Sequence, residues 1–151
     1  MLDYKYEISD YIHWLQKVCK YALKEYEAEI KVTNNNQFSY SYGNKTIEIS
    51  SDSAPRDKLY ILLHEVGHVS RMLENEQDST YFMDRSGSRN KNEKTMVLME
   101  EILAWHKAEQ IAERLSIPIE KNAWQRLVNK STQKYIDWVN KQEDNTNEKS
   151  R

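Results

Sequence analysis

The segment Leu59-Tyr60-Ile61-Leu62-Leu63-His64-Glu65-Val66-Gly67-His68-Val69 limits what this chain can fold into more than any other. It has the length and apolar character of a buried helix, yet two histidines and an acid stand inside it. On a helix, residues four apart lie on one face about a turn from each other. His64 and His68 therefore aim two imidazoles at one point, which is what adjacent ligands of a divalent metal must do. Glu65 stands beside the first of them, where its carboxylate can reach a water on the same ion. Buried imidazole and carboxylate groups are costly without partners, and a metal supplies one.

Two imidazoles leave such a site incomplete, since catalytic zinc usually takes three protein ligands and a water. The next histidine in the chain is His106, far downstream, and no further histidine extends the H-E-x-x-H pattern. Attention falls on the adjacent acids Glu100 and Glu101. Val97, Glu101, Ala104, Ala108, Ile111 and Leu115 form one strip at three- and four-residue spacing, apolar apart from Glu101. An acid embedded in that strip needs a partner, so Glu101 is the expected third ligand. Glu100, which lines up with Lys107, is the alternative.

The flanking chain reads as a mixed α+β domain. Ser9 or Asp10 caps a first helix to about Glu27, with Ile12, Leu15, Val18, Cys19, Ala22, Leu23 and Tyr26 as its apolar stripe. Ile30-Lys31-Val32 alternates as a short strand. Phe38 to Tyr42 and Thr46 to Ser50 alternate again about a Gly43-Asn44 turn. Together these give a small antiparallel sheet of about three strands. Asp52 or Ser53 caps the metal helix, which tolerates Pro55 in its first turn and runs to about Leu73. The polar stretch 84–95 reads as a loop beside it, suited to a lid, a substrate rim or plain solvent exposure. A glutamate-bearing helix then spans about Glu93 to Leu115, and a last one about Glu120 to Val139.

Composition sets outer bounds. With 151 residues, one domain over 1–141 is expected, followed by a disordered polar tail at 142–151. The formal net charge of −2, with both signs interspersed, predicts no nucleic-acid partner. No window approaches the roughly 18 apolar residues of a membrane span. The charged N-terminus lacks a signal-peptide core, and the lone Cys19 fits a reducing compartment, so a cytoplasmic location is expected.

H-E-x-x-H on one helix with a glutamate on the next resembles the gluzincin zinc peptidases. The small size and element order are similar to the ImmA/IrrE-type intracellular peptidases of phage, mobile elements and stress regulation. Glu101-Ile102-Leu103-Ala104 is similar to the E-x-x-A part of their second motif, whereas Trp105-His106-Lys107-Ala108 departs from its usual continuation. The resemblance implies a minimal zincin-like domain and one zinc per chain on His64, His68 and Glu101. It implies a narrow-specificity peptidase with Glu65 as catalytic base, acting on a protein or peptide substrate such as a regulatory protein. Tyr81, His106 and Tyr42 are candidate donors to the transition-state oxyanion. The competing readings are a non-catalytic partner-binding protein that keeps the fold, and a zinc hydrolase of a non-peptide amide. An intact Glu65 speaks against the first, because a structural metal site needs no acid there.

Overall fold

A computed structural model describes residues 4–34, 39–41, 45–74 and 90–141. The α+β expectation is met. The order is α1 (Ile8–Tyr26), β1 (Glu29–Thr33), β2 (Ser39–Ser41), β3 (Thr46–Ser50), α2 (Pro55–Glu74), α3 (Lys91–Arg114) and α4 (Lys121–Asn140). Among the described residues no helix is long and apolar enough to cross a membrane. The Gly43-Asn44 turn, positions 84–89 and the tail from Gln142 lie outside them.

The three strands pair in the order β1-β3-β2. β2 and β3 are antiparallel, as alternation about a turn predicts, with Tyr40 opposite Ile47. β1 instead runs parallel to β3, in register Ile30 to Ile47 and Val32 to Ile49, so the sheet is mixed rather than wholly antiparallel. The cause is which strand takes the centre. Ile47 and Ile49 are fully buried, whereas β1 exposes Glu29, Lys31 and Val32, which suits an edge. Two chain reversals bring β3 back in the direction of β1, and beside it the pair must be parallel.

Helix boundaries moved where capping chemistry outweighed the apolar pattern. The α1 cap is Glu7, whose backbone N–H donates to the Asp10 carboxylate at 3.1 Å. Its inward face holds Tyr11, Val18 and Ala22, while Ile12 and Leu23 are about half exposed, rotated off the expected stripe. α3 starts two residues earlier than predicted because the Asn90 side chain accepts from the Glu93 backbone N–H at 2.8 Å. Lys91 to Thr95 are thus helix rather than loop. At the other end of α3, Lys17 Nζ donates to the Leu115 carbonyl, a cation at a helix C-terminus.

α2 is the central element, buried along most of its length from Leu59 to Ser70. It packs against α1, β3 and α3. Ile47, Ile49, Leu59, Leu62, Leu63, Val66 and Val69 form one core cluster with Val18, Ala108, Ile111 and Trp124. The approach of α3 is unusually close at Gly67. A Cβ added there would fall inside the van der Waals envelope of the Ala104 carbonyl oxygen and 3.3 Å from the Ala108 nitrogen.

A second, polar junction lies where the start of α4 meets the other helices. The Glu120 carboxylate accepts from Tyr11 Oη, from the Lys5 backbone N–H at 2.9 Å, and from Arg56 and Tyr60 at 3.4 Å. The Glu120 backbone N–H donates in turn to Tyr60 Oη at 2.9 Å. Burial works against its ionisation, but the Tyr11 and Lys5 hydrogen bonds and the Arg56 charge hold the carboxyl below its ordinary range. Tyr11 is pushed up to about 12, first by burial and then by its bond to Glu120.

Two consequences can be measured. In Gly67→Ala the better helix propensity of alanine, worth about 1 kcal/mol, opposes a clash with backbone that cannot rotate away. The clash should prevail, lowering stability by about 1–3 kcal/mol in urea unfolding; an unchanged midpoint would mean that the helices stand farther apart. Glu120→Gln should cost about 1–3 kcal/mol near neutral pH. A carboxyl held below its unfolded value stabilises above that value and stops doing so as pH falls through the folded one. The gap between wild type and variant should therefore narrow as pH falls below the ordinary glutamate range and the folded carboxyl takes up its proton.

Candidate metal centre

His64 and His68 stand one turn apart on α2, and Glu101 faces them from α3. His64 Nε2 lies 2.9 Å from Glu101 Oε1, His68 Nε2 lies 3.0 Å from Glu101 Oε2, and the two Nε2 atoms are 3.1 Å apart. All three residues are buried. Ligand atoms on a tetrahedral ion at about 2.0–2.1 Å would be about 3.3 Å apart. The two imidazole nitrogens are within a few tenths of an ångström of that spacing, and each faces one oxygen of the Glu101 carboxylate at a similar distance. The donor set of two imidazoles and a carboxylate fits a small divalent ion as well. The group could hold a metal ion.

Nε2 of each imidazole is paired with an oxygen of Glu101. Burial would raise the Glu101 pKa, yet the hydrogen bonds and charges of His64 and His68 hold it far below the usual carboxylate range. Burial would lower the His68 pKa, and the bond it donates to the Glu101 carboxylate reverses that, so the ring favours its proton more than a free histidine does. A metal would replace that shared proton, because a ligating imidazole must present a bare nitrogen.

The far side of each imidazole is held by packing rather than by hydrogen bonds. Nδ1 of His64 and of His68 are buried with no hydrogen-bond partner. The His64 ring instead stacks on Trp105 of α3, centroids 4.0 Å apart and planes 17° from parallel. Trp105 stands edge-on to Trp124 of α4 at 5.1 Å, and Trp124 edge-on to Tyr60 at 5.1 Å. Glu65 follows His64 on α2 and is 8% exposed. Among the described residues its carboxylate has no hydrogen-bond partner.

The adjacent acid has a different task. Glu100 receives both Arg71 Nε at 2.9 Å and Arg71 Nη2 at 2.6 Å, a two-pronged pair between α3 and α2. Lys107, the expected neighbour of Glu100, pairs with Glu74 at 2.8 Å instead. Glu101 and not Glu100 is therefore brought to the histidines. His106 is exposed and lies by Gln110 at 3.4 Å, some 140° round the helix from Glu101, so the structure does not place it at the centre. Tyr42 and Tyr81 lie outside the described residues.

Ligand spacing gives no signal for two participants, Trp105 of α3 and Ser131 of α4, whose hydroxyl donates to Glu101 Oε1. The position of Ser131 two turns beyond the buried Trp124, on the same helix face, is the cue that could have found it.

No protein-family description, curated protein or solved structure matches this chain.

The geometry separates the two acids by experiment. Zinc affinity measured against a competing chelator should fall by about 10–100-fold at most in Glu100→Gln, the range for residues that only support ligands. Glu101→Gln should lose more than that. A larger loss in Glu100→Gln would reassign the third ligand.

Proposed function

We propose that the chain is a zinc-dependent peptidase of the gluzincin kind. It resembles the small ImmA/IrrE-type intracellular peptidases and works in a narrow-specificity role of the sort found in phage and mobile elements. The observation that carries this reading is the position of Glu65. A purely structural metal site has no use for an acid there, and burying a carboxylate to 8% exposure carries a desolvation cost. His64, His68 and Glu101 would hold the ion, one per chain. Zinc supplies a water acidified toward neutrality and a Lewis acid for the scissile carbonyl.

The chain's own residues do the rest. Glu65 takes the proton of the attacking water and hands it to the departing amine, so one carboxylate is first base and then acid. His64 is kept in orientation by the flat face of Trp105, and Glu101 by its contacts across the α2–α3 interface. The Arg71–Glu100 pair fixes the same interface one turn beyond His68. The substrate is a protein or peptide, with a regulatory protein as the first candidate.

Purified protein should contain close to one zinc per chain and lose thermal stability on chelation, since an ion bound only to the folded state stabilises it by mass action. Glu65→Gln should keep the metal and the fold but lose cleavage of a denatured protein substrate, because the amide matches the carboxylate in size and cannot accept the proton. Equal turnover in Glu65→Gln and wild type would remove Glu65 from the mechanism. Metal-free wild type at equilibrium with excess zinc would overturn the centre itself.

A further inference from the structure

We propose that Ser131 is the positioning residue for the third ligand, so that α4 is part of the metal centre. This rests on the metal reading above. A serine inside a helix ordinarily returns its hydroxyl to the carbonyl four residues back. Ser131 instead donates across the interface to Glu101 Oε1, 30 residues away in the chain.

That hydroxyl is aimed by packing. Trp124 lies two turns before Ser131 on the same face of α4 and meets Trp105, which lies one turn after Glu101 on α3. The helices run antiparallel. Trp124 Nε1 donates to Glu109 at 2.9 Å at one end, and Lys94 lies over the Trp138 ring, 5.5 Å from its centroid, at the other. Ser131 sits between these two contacts, opposite Glu101.

Its importance follows from what loading the site removes. Glu101 is held by three groups, the Nε2 atoms of His64 and His68 and the Ser131 hydroxyl. A bound ion would require both imidazole nitrogens bare and so would take the place of the two imidazole hydrogen bonds. Among the described residues the bond from Ser131 would then be the only hydrogen bond left on the carboxylate. It occupies Oε1 and restricts how the group turns toward the ion. Outer contacts of this kind typically carry 10–100-fold in metal affinity.

The test uses the full chain and zinc itself. Affinity is measured by chelator competition for wild type, Ser131→Ala and Ser131→Thr, with the visible spectrum of the cobalt-loaded proteins as a direct view of the ligand field. Ser131→Ala should bind zinc about 10–100-fold more weakly and show an altered cobalt spectrum. Ser131→Thr, which restores the hydroxyl, should recover both. Unfolding of the metal-free proteins shows whether α4 remains docked. Wild-type affinity and an unchanged spectrum in Ser131→Ala would overturn the proposal, and so would a loss that threonine fails to recover. Failure of the underlying metal reading is distinguishable, because wild type itself would then take up no zinc.

Discussion

The centre depends on how near two helices can come. Gly67 has no side chain to hold α3 away, and Ala104 opposite has only a methyl, so backbone meets backbone at that crossing. The two glutamate oxygens then sit within 3.0 Å of the two imidazoles. A glutamate side chain is short, and an extra ångström or two between the helices would leave His64 and His68 with each other alone. The middle residues of the motif matter as much as its ends. They decide whether a third group can arrive.

Around that crossing the molecule separates its polar business into two places. Three rings, those of Trp105, Trp124 and Tyr60, run in contact from His64 to the Glu120 junction. One end of this column holds a carboxylate among imidazoles, the other a carboxylate among phenols, an amide and a guanidinium. Both carboxylates are kept ionised against burial by hydrogen bonds. The aromatic layer between them supplies the apolar mass that a chain of mean hydropathy −0.91 otherwise lacks, and it fixes α4 against α3.

Much of this was legible in the residues because helix periodicity is strict. His64 and His68 had to share a face, and Glu101 had to share one with Val97, Ala104 and Ala108, all of them buried. The four helices and the β2–β3 pairing followed from the same kind of pattern. What did not follow was long-range partner choice. Alternation shows that β1 is a strand but not which neighbour it takes, and the burial of Ile47 and Ile49 decided that. Helix spacing lines Glu100 up with Lys107, and only the crossing of α2 over α3 gives it Arg71 instead. Ser131 and Glu120 were invisible for a related reason. Their roles come from side chains at least 30 positions away.

The Glu120 junction also bears on how the chain reaches its fold. It joins Lys5 to a residue 115 positions later, whereas His68 and Glu101 are only 33 apart. Loop-closure entropy grows with the logarithm of length, so the longer closure costs only about 1 kcal/mol more than the shorter. A hydrogen bond to a charged group contributes about 1.5–3 kcal/mol. One such bond is enough to offset the difference. Fastening the first residues to the last helix is therefore nearly as accessible to a collapsing chain as bringing α3 to α2, and the ends of the domain need not wait for its centre.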